Sequence, residues 1–188
     1  MVLVQHERMK PFVRDEVVRL MLEATRPPEE PYPGGATDDE LRDLERRTGR
    51  PLPEPLLDWL RACKGEAIGP GGIYGARPDE PDHDIAHVLS MFPRWRDTGW
   101  IPVAGDGCGD YYILVTSGSL AGHVAFVDQA DMTSIDYLVA GDLWRFLRFL
   151  LQRDAGDRRW PFDQQMVLAA DPALASAPSA LLPWNRNA

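Results

Sequence analysis

Apolar positions along the chain follow two different periods. Over Pro11–Ala24, the residues Phe12, Val13, Val17, Leu20, Met21 and Ala24 return every three to four places. That is the stripe of an amphipathic helix, with Pro11 suited to its first position. The same spacing predicts helices over 38–48, over 54–64 (Leu56, Leu57, Trp59, Leu60, Cys63), over a shorter segment carrying Ile85, Val88, Leu89 and Phe92, and over Asp142–Gln152, where Leu143, Trp144, Phe146, Leu147, Leu150 and Leu151 form the strongest stripe. In between the pattern changes. Tyr111–Val115 and His123–Val127 are short β-branched and aromatic runs, Trp100–Val103 and Ile135–Ala140 read similarly, and Gly72–Gly75 is a glycine-flanked run. These runs predict a single-domain α+β fold: a mostly antiparallel sheet of about four to six strands, near 72–75, 100–103, 111–115, 122–127 and 135–140, flanked by helices. Runs such as Tyr111–Val115 do not alternate with polar residues, so the sheet is expected to be covered on both faces. Trp59, Trp100 and Trp144 are expected in the core.

Local punctuation sets the boundaries. Arg26–Gly35 holds four prolines and two glycines, the composition of a stiff strap. Thr37-Asp-Asp-Glu40 is a capping box; acids fill the first turn of the helix it opens, Arg46 and Arg47 its last, and Gly49 supplies the stop. Removing the cap with Thr37→Ala is expected to cost about 1 kcal/mol. Beyond Gln152, Trp160-Pro-Phe-Asp163 introduces a helix to about Ala170, and an Ala/Pro/Ser-rich tail follows. Such composition usually means disorder. Leu181-Leu-Pro-Trp184 argues instead for an aromatic clamp that pins the tail. Three parts are expected: an N-terminal helix and strap (1–36), a central domain (37–152) and an extension packed upon it (153–188).

The densest motif is Trp100-Ile-Pro102-Val-Ala-Gly-Asp106-Gly107-Cys-Gly109-Asp110, in which three glycines and two aspartates separate apolar runs. Such a cluster marks a turn needing positive φ or close approach of another segment. Upstream come a short acidic helix, Gly49-Arg-Pro-Leu52-Pro53, a second helix and Gly65. In this order and spacing the motifs resemble the SUKH superfamily, over roughly Thr37 to Gln152. That superfamily contains yeast regulators of cell-wall synthesis and many bacterial toxin-immunity proteins. The resemblance implies an α+β module that binds protein partners without catalysis, with Gly49, Leu52, Pro53, Trp100, Pro102, Asp106, Gly107, Gly109 and Asp110 as its structural motif residues.

Charge changes the picture through its distribution. The net charge is −9, from 29 acids and 20 bases. Residues 79–142 hold 11 of the acids and only two bases, Arg94 and Arg96, while the remainder of the chain balances. This disfavours nucleic acid as a ligand, because phosphate binding needs clustered Lys or Arg, and it suits a basic protein partner. A solvated, solubilising surface is the bland alternative. Asp79, Glu80, Asp82, Asp84, Asp106, Asp110, Asp128 and Asp131 are the candidate contact acids, with Trp95, Tyr111 and Tyr112 as candidate aromatic anchors.

Other chemistry weighs less. His83-Asp-Ile-Ala-His87 has the His-x-x-x-His spacing of a zinc helix. Asp84, however, is too short for the glutamate role, the third ligand would be His123, a carboxylate or none, and Pro78 and Pro81 place His83 at a loop–helix junction. No metal or cofactor is expected, and a metal-dependent hydrolase using His83 and His87 ranks last. Cys108 lies between aspartates, which supply the wrong sign of potential for a nucleophilic thiolate. Ser90, Ser117, Ser119 and Ser134 lack the context of a nucleophile elbow. Cys63 and Cys108 have no metal-type spacing and are expected to be free thiols. No stretch approaches the ~20 apolar residues of a membrane span, and the N-terminus turns polar too early for a secretory signal, so a cytoplasmic location is expected. The function implied is a non-enzymatic binding module. A toxin-immunity protein that neutralises a basic toxin domain stands first, and an intracellular scaffold or regulator is the alternative.

Overall fold

Tyr111–Val115 (β2) is a central strand of the sheet. It pairs antiparallel with Trp100–Gly105 (β1) on one side and with Val124–Val127 (β3) on the other, and β3 in turn pairs with Tyr137–Ala140 (β4). The strand order is therefore β1-β2-β3-β4, a four-stranded antiparallel meander within an α+β domain. The computed structural model describes residues 11–186 apart from Pro27 and Glu30; the readings of the first ten residues, of the Phe12 side chain and of those two strap positions lie outside the described residues.

Adjacent residues on a strand point to opposite faces, and β2 shows what each face meets. Tyr111 touches Phe92 and Trp95, whereas Tyr112 packs against Phe126, Phe146 and Trp160. Two short helices, Ile85–Met91 (α4) and Pro93–Thr98 (α5), thus cover the first face, and Leu143–Asp154 (α6) covers the second. The helix at Pro93–Thr98 had clear local signals, Pro93 at its start and Gly99 at its end, that the hydrophobic period does not carry. Pro102 is tolerated because β1 lies at the sheet edge, next to a register shift between Pro102 and Ala104.

The segment expected as a strand at 72–75 is not one. Ile73 makes isolated bridges to Glu66 and to Ala104, and Tyr74 N–H donates to the Val103 carbonyl at 2.9 Å. Gly72 and Gly75 flank it, both pressed against neighbouring groups, so the ladder stops after one bridge. The segment still covers the outer edge of β1. On the other edge, Trp160 Nε1 donates to the Val139 carbonyl at 2.9 Å and the Asp171 carboxylate accepts from Gly141 N–H. Side chains of the C-terminal segment cap β4 where another strand would otherwise pair.

The outer helices follow the pattern closely. Asp38–Thr48 (α2) carries the full capping box, with Thr37 Oγ1 accepting from Glu40 N–H and Glu40 accepting from Thr37 N–H at 2.7 Å. Glu54–Ala62 (α3) ends two residues earlier than expected, since Cys63 is extended and its N–H closes on Trp59. Pro11–Glu23 (α1) buries Val17 and Met21 completely; each contributes about 1.5–3 kcal/mol of hydrophobic stabilisation. Around them Arg14 holds Asp58 through two hydrogen bonds of 2.9 and 3.1 Å, and Arg148 faces Glu16 at 3.1 Å. The strap is docked through Arg26, whose guanidinium is spent on Glu66 and on helix-end carbonyls. Trp59 meets Trp144 edge-on, and Trp100 is buried as expected.

The Ala/Pro/Ser-rich tail is ordered. After Gln164–Ala170 (α7) it runs through three 3-10 turns that bury Leu174, Leu182 and Pro183 in the same core as Trp160 and Val167. Arg186 closes it by pairing with Asp136 and lying over the Tyr137 ring.

Candidate functional site

An antiparallel meander puts the exits of β1 and β3 and the entries of β2 and β4 at one end of the sheet. Each of those four points carries an aspartate: Asp106, Asp128, Asp110 and Asp136. The chain thereby builds a carboxylate rim from residues spread over thirty positions. Asp136 is neutralised by Arg186; the other three remain as a group.

The Asp106–Asp110 turn is rigid. Asp106 Oδ1 accepts from Cys108 N–H at 2.7 Å and from Asp110 N–H at 3.0 Å, so the side chain organises the turn around itself. Gly107 has φ +84°, and a Cβ there would stand 2.5 Å from the Pro70 carbonyl oxygen. The turn is tied to the end of β3, because Gln129 N–H donates to Asp110 at 2.8 Å and the Gln129 amide donates to the Cys108 carbonyl at 3.0 Å. Burial, followed by the nearby charges of Asp106 and Asp128, raises the Asp110 carboxyl above its usual value, against the Gln129 N–H that favours its anion. Three carboxylates thus share one small region.

The acidic loop before α4 reaches the same end of the sheet. Gly105 N–H donates to the Gly72 carbonyl at 3.1 Å, and the His83 ring lies directly on Gly72. Burial and then the Asp82 carboxylate push the Tyr111 phenol up; Tyr74 is pushed up by burial, with Tyr111, Asp106 and Asp82 adding to it. Asp82 therefore acts on both tyrosines, and Asp106 on Tyr74. Asp131 lies on the next loop, its carboxylate held below the usual range by the Ser134 and Thr133 hydroxyls, and that loop is fixed over α5 by Trp95 Nε1 donating to the Met132 carbonyl at 2.8 Å. Half-buried Phe92 stacks on Trp95 and touches Tyr111, next to Met91, which is 49% exposed. Phe92 and Met91 escape a reading of the sequence because Phe92 fits the buried stripe of its helix.

Of the residues singled out in the sequence, Asp79, Glu80, Asp82 and Asp131 are exposed, and Asp106, Asp110, Tyr111 and Asp128 are partly so. Asp84, Trp95 and Tyr112 are corrected, since they are 1%, 1% and 2% exposed and lie inside the fold. Asp84 caps α4 through His87 N–H at 2.9 Å, accepts from Arg77 N–H at 3.1 Å, and binds the Arg47 guanidinium at 2.6 and 3.1 Å. Tyr112 points to the face under α6 because it follows Tyr111 on a strand.

The acidic block is also smaller than its sequence count. Glu80, Asp84, Asp136 and Asp142 pair with Arg77, Arg47, Arg186 and Arg145, all from outside residues 79–142. Seven acids then stand against Arg94 and Arg96, an excess of five. Those seven include Asp79, Asp82, Asp106, Asp110, Asp128 and Asp131, the surface set described above.

His83 and His87 line different clefts, and among the described residues no group of three His, Cys, Asp or Glu side chains converges as a metal site. Burial pushes the Cys63 thiol up to about 12, while Cys108 is exposed on the turn. No helix among the described residues is long and apolar enough to cross a membrane.

No curated protein matches the chain. The family model described as SMI1 / KNR4 family (SUKH-1) matches residues 35–148, a span that holds α2, the Gly-x-x-Leu-Pro break, the four strands and the glycine–aspartate turn. Matched over more than half of its length by that model, the chain belongs to the SMI1 / KNR4 family (SUKH-1).

Proposed function

We propose that this protein is a non-catalytic binding module of the immunity type, which neutralises a basic partner domain by covering it with the acidic end of its sheet. One observation carries the reading: Asp106, Asp110 and Asp128 cluster at one end of the sheet, with Asp82 beside half-buried Tyr111, whereas many other carboxylates of the chain are paired with arginines. Family membership supports a protein-binding role. The elements that flank the matched region support the choice of surface, because α1 packs on α6 and the C-terminal segment covers β4, both away from the α4–α5 face.

A toxin domain that grips nucleic acid must be positively charged where it holds phosphate. An unpaired carboxylate rim steers such a domain and occludes its grip, with a tyrosine and Phe92 supplying the desolvated centre that charge alone lacks. Asp79 and Asp82 have no ion-pair partner among the described residues and cap no helix, so they serve recognition without structural duty.

The test is co-purification with the toxin-like domain encoded by a neighbouring gene, followed by association kinetics across a salt series. Association is expected to slow about tenfold or more from low to physiological salt, and further in an Asp79→Lys, Asp82→Lys double variant. Tight binding without salt dependence, or an acidic partner, overturns the reading. Capture of a host regulatory protein in place of a toxin domain favours the scaffold role.

A further inference from the structure

Most arginines of this chain rest on a carboxylate, but Arg94, Arg153 and Arg158 have none within 4.0 Å among the described residues, and neither have Arg50 and Arg96. The last two meet each other instead. Arg50 donates to the Arg96 carbonyl at 3.4 Å, and Arg96 donates to the Arg47 carbonyl at the end of α2, also at 3.4 Å. Arg50 is also held by Thr116, whose Oγ1 accepts at 2.6 Å, whereas the one contact of Arg96 lies at the long limit of hydrogen bonding, and a guanidinium carries five N–H donors. Most of the donor capacity of Arg96 is left over.

Arg96 opens onto a cleft of about 330 Å³ between α2, α4 and α5. Arg47 comes from α2, His87 and Ser90 share one face of α4, and Pro78 and Pro81 form the wall. The single carboxylate in the lining, Asp84, has both oxygens engaged by Arg47 and by backbone N–H groups. Asp43, behind Arg47, is likewise spent on Arg46 and Arg47. A locally positive, concave spot therefore exists within the most acidic stretch of the sequence, and it is built from three elements.

We propose that this cleft binds a tetrahedral oxyanion, a phosphate ion or a phosphoryl group, with Arg96 as its principal donor and Arg47, His87 and Ser90 around it. Arginine suits this ligand because its planar fork presents parallel donors to two oxygens at once. Arg96 arrives from α5 and the His87 ring from α4, so the anion is met from more than one direction, while Arg47 and the Ser90 hydroxyl line the cleft already bound to Asp43 and Asp84 and to the His87 carbonyl. The wall prolines belong to the loop that carries Asp79, Glu80 and Asp82, so an occupied cleft also braces that loop. The inference stands apart from the identity of any protein partner.

The test is a titration of the full chain with inorganic phosphate at constant ionic strength, followed by amide NMR shifts, with a phosphoserine peptide as the second arm. Saturable shifts centred on His87, Ser90 and Arg96 are expected, weakened about tenfold in Arg96→Ala and unchanged in Arg158→Ala. Arg96 is exposed, so Arg96→Ala is expected to keep its fold; Ser90→Ala, also exposed, is the second variant and should weaken binding to a smaller extent. A peptide that binds far more tightly than phosphate identifies a phosphorylated partner, and equal affinities identify the free ion. Shifts that fail to saturate, or that persist unchanged in Arg96→Ala, overturn the proposal.

Discussion

Arg47 and Asp84 lie 37 residues apart and join through two hydrogen bonds, of 2.6 and 3.1 Å, with the carboxylate almost wholly buried. The pair clamps the end of α2 to the start of α4 and turns an acid that looks free in the sequence into a structural one. Arg47→Met strands a buried charge and is expected to cost about 3 kcal/mol, seen as a lower urea midpoint with an unchanged slope. Asp84→Ala should cost at least as much, because two backbone N–H groups and the guanidinium lose their acceptor. The double variant should lose less than the sum of the two.

The glycine–aspartate turn makes a second prediction. Gly107 and Gly118 both have positive φ, +84° and +76°. A methyl group at Gly118 meets nothing within 4 Å, but at Gly107 it collides with the Pro70 carbonyl. Gly118→Ala should therefore cost only the backbone strain, about 1–2 kcal/mol, and Gly107→Ala clearly more in the same urea titration.

Asp171 yields a pH dependence of defined sign. Its carboxyl is fully buried, and burial raises it above the usual aspartate value; Asp142 adds to the rise, while Gly141 N–H and Arg145 oppose it. The folded protein then holds this proton more tightly than the unfolded chain does. The wild type gains stability from Asp171 as pH falls toward about 4, the ordinary aspartate value. Asp171→Asn cannot titrate, so the stability of the wild type relative to the variant should grow from pH 7 to pH 4. A constant or shrinking difference in denaturant midpoints contradicts this.

The two thiols should separate cleanly. Cys108 is exposed, whereas Cys63 is buried with its thiol pushed up to about 12. At pH 8 a disulfide reagent should titrate one thiol per native chain, lost in Cys108→Ser, and reach the second only after unfolding.

Much of this molecule is legible one segment at a time. The capping box at Thr37 and Glu40, the apolar stripe of α6 and the β-branched runs of β2 and β3 are local, because helix caps and strand composition depend on neighbours within a few residues. The aspartates that flank the strands are visible in the same way, and an antiparallel order of consecutive strands gathers them at one end. The alternation that sends Tyr111 and Tyr112 to opposite faces is in the sequence as well.

What a single chain of letters does not contain is which face stays open and which charges are spent. Tyr112 is sealed in because α6 and Trp160 return from 34 and 48 residues away, and Trp95 because the loop carrying Met132 folds over it. Asp84, Asp136 and Asp142 count as surface acids until Arg47, Arg186 and Arg145 reach them. Pairing a charge is a through-space event governed by distances of a few ångströms, and sequence separation carries no information about it. The strand-like Gly72–Gly75 failed for the same reason: a strand is defined by its partner, and here β1 offers only one residue of pairing. Composition and spacing determined that this chain makes a covered antiparallel sheet with an acidic stretch. Only the tertiary structure decided that Asp106, Asp110 and Asp128 meet at one end of the sheet without an arginine partner among the described residues, with Asp82 beside half-buried Tyr111.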